Sequence, residues 1–456
     1  MNKIEKLVYD ALKRHPQIKL FVRDMYQNVM DLIPDKPNFT AGDTQVFEGF
    51  FWGFHDVSPI SSDERHMLGC KLNIPLRMPQ PGEPLTIGYW DLSRSEECGV
   101  RSENSQFNEV ATSYAWAYHK GCRLQWLGDS NDTFIFNTCR DNRLCAEIHR
   151  IPSRSEECGV RSEDTSAAGS TLQGNLTPHS TLLTPRIITY PIDTVSHNGR
   201  YATTFSYRRL EKMMPGYGYD VEDGSYLDEA APKDTGLYLI DINQNTRSLL
   251  LSLADLAKME PTENMKGARH FVTHTEFSPD DQRIAFLHRW TFDDPDERFT
   301  RLITCRLDGT DIHISPTTDM VSHYVWDAPH GILAFCRIGT VDGHYLFSDY
   351  TMKKWRHVAP QLNSDGHQSF IPGTDAAVTD TYPDGRRYAK LWRINLENDE
   401  TTLLADLKSP KAFQSPNCYK NWACDLHPRV SPRGTYVTFD SVHTKRRALC
   451  VMKIGQ

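Results

Sequence analysis

The spacing of apolar residues changes near residue 43. Upstream, they recur at helical intervals: Ile4, Leu7, Val8 and Leu12, then Ile18, Phe21, Val22, Met25, Tyr26, Val29 and Met30. This predicts helix over 3–33, interrupted at Pro16 and ended by Pro34 and Pro37, since proline lacks an N–H and clashes with the preceding turn. Downstream, short alternating runs bounded by turn residues take over, the pattern of half-buried β-strands. One unit recurs: a polar or histidine-bearing lead, a short β run, a turn and a second β run. Its seven instances lie at 53–71, 121–137, 189–206, 270–290, 321–337, 366–383 and 425–441. The segments SPDD, SPRG and SHNG put Pro, Asp, Asn or Gly where each hairpin must reverse.

A third β run follows every unit: LTIGYWDL, RLCAEIHRI, GLYLIDI, RLITCRL, HYLFSDY, AKLWRINL and RALCVMKI. Seven hairpins with seven following strands predict an all-β fold, a seven-bladed β-propeller over 43–456 behind a helical N-terminal arm over 1–42. The last blade is one strand short. The spare run TQVFEGFFWGF (44–54) can complete it, closing the ring and covering an edge that would otherwise invite aggregation. Two β-sandwiches, the competing architecture, would not repeat one unit seven times.

Composition narrows the function classes. With 456 residues, 39% of them hydrophobic, the chain can fill a large core without disulfides or metals. A net charge of −8 counts against nucleic acid as a partner. No run approaches the ~18 apolar residues of a membrane span, and the start lacks the apolar core and cleavage site of a secretory signal. Eleven cysteines, an odd count with no CxxC pair, argue against a disulfide framework or a zinc knuckle and fit a reducing, cytoplasmic location. Residues 1–33 carry six Lys/Arg against four Asp/Glu. The arm therefore has two readings: a helix packed on its own body, or one resting on a partner protein or the inner membrane surface. The peptide SRSEECGVRSE occurs identically at 93–103 and 153–163, each time just after a third strand. It reads as an insertion tolerated in exposed loops, which removes Cys98 and Cys158 from chemical consideration.

The eighteen histidines are the informative surplus. His274 (HTEFSP), His367 (HQSFIP) and His427 (HPRVSP) share one register of their blades, His323 (HYVWDAP) is one residue off it, and His55 (HDVSP) is close. In a propeller this register is the entry to the innermost strand, where successive blades converge on a central funnel. A ring of imidazoles there suits a metal site, acid–base chemistry or hydrogen bonds between blades. Arg289, Arg301, Arg429, Tyr324, Tyr345 and Tyr382 accompany them, and the irregular run 208–234 is either a lid over the funnel or a plain loop. GxSxG, HExxH, a phosphate loop and a helix-opening GxGxxG are all missing from the sequence.

With these segments in view, residues 45–455 resemble the propeller-fold polysaccharide lyases: the oligogalacturonate lyases and, more loosely, the ulvan lyases. FWGFHD, GCRLQW, PGYGY and DTYPD also resemble segments of uncharacterised bacterial propeller proteins from surface-polysaccharide gene clusters. The resemblance implies a histidine base and a divalent metal (manganese, calcium or zinc) held mainly by histidines. His274 falls at a base-type position, and His367 and His427, with His323 beside them, at metal-type positions. No closely spaced histidine pair precedes the final blade turn, where such a site would have one. The implied chemistry is β-elimination on an acidic oligosaccharide, with Tyr324 as acid and Arg289 or Arg429 neutralising the uronate. The alternative is a non-catalytic propeller scaffold in surface-polysaccharide assembly, docked through its helix.

Overall fold

The computed structural model describes residues 16–92, 106–152, 184–224, 227–295, 297–328 and 330–455. Antiparallel sheets follow one another as the seven blades of a β-propeller. Blade 1 is built from Phe50–Phe51, His66–Lys71, Leu85–Asp91 and Asn108–Ser113, and blade 2 from Gln125–Trp126, Thr133–Arg140, Arg143–Arg150 and Arg186–Ile188. Blade 4 spans Arg269–Phe277 to His313–Ile314, and blade 5 Val321–Asp327 to Trp355–Val358. All seven predicted third strands are present. The duplicated undecapeptides lie outside the described residues; a third strand precedes each and a fourth follows.

Three blades depart from four strands of one origin. Blade 3 has three strands, Tyr201–Thr204, Gly236–Asp241 and Thr246–Ser252, its inner strand reduced to a bridge between Val195 and Ala202. That segment keeps backbone bonds to its neighbour, such as Asp193 N to Thr203 O (2.8 Å), while side chains of blade 2 hold its other edge: Ile192 N donates to Asn137 Oδ1 (2.7 Å), Asn137 Nδ2 to Ile192 O (2.7 Å) and Val195 N to Gln125 Oε1 (2.9 Å). Blade 6 gains a fifth strand, Phe39–Thr40, on its outer strand Thr401–Lys408. In blade 7, Thr44–Glu48 pairs with Ala448–Lys453, so the early strand closes the ring as the sequence predicts. The spare run serves two blades: after Gly49 (φ +84°), Phe50–Phe51 begins blade 1. One apolar cluster spans the seam, packing Leu449 and Val451 of blade 7 with Phe51, Met67, Leu85 and Trp90.

The N-terminal helix, Pro16–Met30, docks through its polar side. Gln27 is buried against Gly385 O, Arg23 donates to Ser415 O (3.1 Å), and Asn28 accepts from Lys411 (2.6 Å). Ile18, Phe21, Met25 and Val29, the face expected to seek cover, are 50–69% exposed. The helix expected over 3–15 lies outside the described residues. Among the described residues no helix is long and apolar enough to cross a membrane.

Candidate functional site

Inner-strand entries from separate blades meet at one end of the channel, and their histidines gather round Phe54. Ring centroids lie 4.5 Å (His55), 4.6 Å (His274), 5.4 Å (His427), 6.0 Å (His323) and 6.5 Å (His367) from the phenyl ring. His367 is central among them, 4.0 Å from His323 and 4.2 Å from His427. His119, on the connector into blade 2, joins from the side, 6.5 Å from His427. All six are at most 4% exposed.

The backbone is bent to aim these rings. His274 (φ +53°) and His427 (φ +46°) hold left-handed conformations that cost a side-chain-bearing residue about 1 kcal/mol or more. His274 sits in a register shift of its strand pair, between Thr273 and Glu276. Arg123 occupies the corresponding place of blade 2 with the same φ, +54°. Its guanidinium is committed to Asp56 (2.6 and 2.9 Å) and to Asp193. Gly53, at φ +115°, backs onto Gly121, where a Cβ would stand 2.7 Å from the Gly121 nitrogen. Only glycine lets the His55 and His119 segments approach so closely.

Several polar atoms converge without partners. Among the described residues, His119 Nε2, His274 Nε2, His323 Nδ1, His427 Nε2, Arg289 Nε and Asp365 Oδ1 are buried with no hydrogen bond, although His323 Nδ1 and Asp365 Oδ1 face each other at 3.7 Å and His427 Nε2 faces Asp425 at 3.9 Å. Such atoms normally find partners, so a cluster of them marks a place for a ligand. His427 Nδ1 bonds the Gly53 carbonyl, which fixes its proton there and leaves Nε2 as a lone pair. His274 Nδ1 lies 2.9 Å from Thr273 Oγ1, a hydroxyl that can either donate or accept. Burial, with neighbouring cationic groups, lowers His55, His274, His323 and His427 well below the usual imidazole range, keeping them neutral. At His367 burial works against charge, but Asp380, together with Asp425 and Asp365, outweighs it and raises the imidazole. Asp380 accepts from His367 Nδ1 (2.9 Å), His367 N (2.6 Å) and His427 N (2.9 Å).

His119, Asp425 and His427 form a possible metal triad, their ligand atoms all within 4.8 Å of one another. Two neutral nitrogens and a carboxylate suit a divalent ion such as manganese or zinc. His323 and His367 stand beside the triad. Neither His119 nor Asp425 was singled out from the sequence. His119 precedes the repeat unit by two residues, and Asp425-Leu426-His427 has the close spacing sought there, with a carboxylate in place of the first histidine.

The other candidates separate by their bonding. Arg289 is 5% exposed and among the described residues has no carboxylate partner. Its Nη2 donates to Ser322 O (2.9 Å), its Nη1 meets only Met214 Sδ (3.7 Å), and burial pushes it down to about 9. Arg429 is engaged by Phe54 O (2.9 Å), Gly53 O (2.7 Å) and Asp440 (3.0 Å), holding the segment that carries His55. Tyr324 donates its hydroxyl to His274 O (2.5 Å). The run 208–234, where described, begins in a helix, Tyr207–Met213, and brings Tyr217 face to face with His119 at 4.4 Å and 5°.

Fold and site together define a seven-bladed propeller with a buried histidine funnel. Two solved structures share the architecture over nearly their whole length. An oligogalacturonate lyase in complex with manganese matches with a TM-score of 0.55 and 11% identity, over 93% of this chain and 97% of that one. An oligogalacturonate lyase from Vibrio parahaemolyticus matches with a TM-score of 0.55 and 12% identity, over 93% and 99%. At this identity the likeness shows the fold. No family model matches the chain, and no curated protein matches it.

Proposed function

We propose that this chain is a lyase-like enzyme that cleaves an acidic, uronate-containing oligosaccharide by β-elimination. The observation that carries the proposal is Arg289, a buried guanidinium without a carboxylate, beside the unpartnered nitrogen of His274. A buried cation lacking a counter-ion is costly unless an anion arrives, and a uronate carboxylate is such an anion. The two similar structures being oligogalacturonate lyases, one with manganese, supports the same chemistry.

The proton next to a uronate carboxylate is weakly acidic while the carboxylate keeps its full charge. Arg289 would bind that carboxylate and stabilise the enolate-like charge as it develops. His274, neutral and with Nε2 free, would take the proton as base. Phe54 and the surrounding rings exclude water, which strengthens both interactions. His119, Asp425 and His427 are the residues that would hold a divalent cation, which when bound would add positive charge against the same carboxylate.

The test is incubation with a panel of oligouronides, with and without added divalent cation, while following the ultraviolet absorbance of the conjugated product. Product formation supports the proposal; none across the panel overturns it. The exposed face Ile18, Phe21, Met25 and Val29 favours the second reading, a scaffold in surface-polysaccharide assembly docked through its helix to a protein or membrane surface. A silent panel together with retention on a polysaccharide-assembly complex or its membrane would favour that reading.

A further inference from the structure

A base must sit where the proton is, and His274 keeps its place in a conformation that a regular strand does not supply. Between the pairs Thr273–Leu287 and Glu276–Ala285, blade 4 sets two residues, His274 and Thr275, against one, Phe286. This is a β-bulge, a device that re-aims a side chain, and its left-handed position ordinarily belongs to glycine. Here a histidine fills it, at φ +53°. Such a conformation persists only where the neighbours over-determine it.

Both adjacent blades do so. From blade 3, Asp193 accepts from Thr275 N (3.1 Å) and Thr275 Oγ1 (2.7 Å). From blade 5, Trp326 N donates to Glu276 Oε1 (3.0 Å), and the Tyr324 hydroxyl donates to His274 O (2.5 Å). Only the last of these bonds acts on the histidine itself. We propose that Tyr324 is a positioning residue, holding the His274 carbonyl, and through it the imidazole, within reach of the substrate proton. The assignment rests on the elimination chemistry proposed above.

The surroundings of Tyr324 suit this role. It is 4% exposed, and its ring is packed with Ala285 and Leu287 of blade 4 and Ile332 and Ala334 of blade 5, so the hydroxyl is carried on a fixed body. A hydroxyl already donating to a backbone carbonyl is not free to protonate a leaving oxygen, so the acid role expected from the sequence does not fall to it. Two residues earlier on the same strand, Ser322 O accepts from Arg289 Nη2 (2.9 Å). One strand, Val321–Asp327, therefore holds the cation through Ser322 and the base through Tyr324. Their relative placement is set by a single stretch of backbone.

Tyr324→Phe leaves the ring in its cluster and removes the bond. On an oligouronide kcat should fall roughly 10²-fold, as for a reacting group displaced by about 1 Å, with KM changed less than about twofold because Arg289 keeps Ser322. Tyr345→Phe is the matched control. Tyr345 lies in the same cluster, 3% exposed, and its hydroxyl donates to Val341 O (3.2 Å), outside the funnel, so this variant should keep wild-type kcat. A second readout needs no substrate. In NMR spectra of protein with isotope-labelled histidines, the ring signal that vanishes in His274→Gln should shift or split in Tyr324→Phe and stay in place in Tyr345→Phe. With an active wild type, an equally active Tyr324→Phe, equal losses in both tyrosine variants or an unmoved His274 signal overturns the assignment and leaves elimination standing. A wild type silent on oligouronides overturns the elimination reading. The His274 signal then decides by itself whether Tyr324 sets that ring, and an unmoved signal overturns this too.

Discussion

Beneath the histidines lies an ion network whose disruption can be worked out in advance. Asp193 is fully buried and accepts from Lys120 Nζ (2.6 Å), Tyr207 Oη (3.1 Å), Thr275 N (3.1 Å) and Thr275 Oγ1 (2.7 Å), with Arg123 Nε 3.2 Å away. Against the pull of burial, Lys120 and Arg123 hold its carboxyl far below the usual range. In Asp193→Asn, Arg123 keeps Asp56, but Lys120 is left as a buried ammonium without its ion-pair partner. One stranded charge of this kind costs about 3–5 kcal/mol. Urea unfolding should therefore show a lower midpoint with an unchanged slope. Lys120→Met in the same background should recover most of the loss, because the stranded charge is gone. Lys120 Nζ also lies 5.2 Å from the Phe54 ring centroid and next to His119 in the chain, so Asp193→Asn should weaken divalent-metal uptake too. A loss below about 1 kcal/mol, or no recovery in the double variant, would refute the reasoning.

Other outcomes follow from the same geometry. His119→Ala and His427→Ala should each lower manganese affinity at least tenfold by calorimetry while the fold persists; wild-type affinity in both would rule out the triad. Burial pushes the Glu211 carboxyl up to about 7 from an ordinary 4.5, so the folded state keeps a proton that the unfolded chain releases between those values. Stability should fall as pH rises through that window, and Glu211→Gln should flatten this part of the profile; an unchanged slope would show that Glu211 does not titrate there. Phe21→Asp and Met25→Asp change exposed positions, so thermal unfolding should shift stability by no more than about 0.5 kcal/mol. A larger loss would mean that this helix face is covered.

Much of the ring was legible because each blade spells out its own period-2 pattern and turn, information local to a few dozen residues. The closing strand was legible for the same reason: 44–54 was a β run with no hairpin to join. What escaped were pairings made by side chains or by very short segments. The inner edge of blade 3 is held by Asn137 and Gln125, and Phe39–Thr40 is too short to carry a period. The helix was legible as amphipathic, but its docking side was not, since Arg23, Gln27 and Asn28 show no apolar signal. In the site, the shared register brought out His274, His367 and His427. His119 and Tyr217 arrive from connectors that follow no repeat, so only the three-dimensional arrangement joins them to the rest.

The chain from Trp52 to His55 links the seam to the funnel. Asp440 of blade 7 accepts from Trp52 N (3.0 Å) and Gly53 N (3.1 Å), and Arg429 grips the next carbonyls, so the last-made blade holds the loop that presents Phe54 and His55. On the ribosome, that loop waits for its anchors until the seventh blade has been synthesised. The site is thus a coincidence detector for completed folding: a nicked, truncated or half-assembled ring would leave its histidines scattered. The first blade cannot shape its share of the centre before the seventh exists.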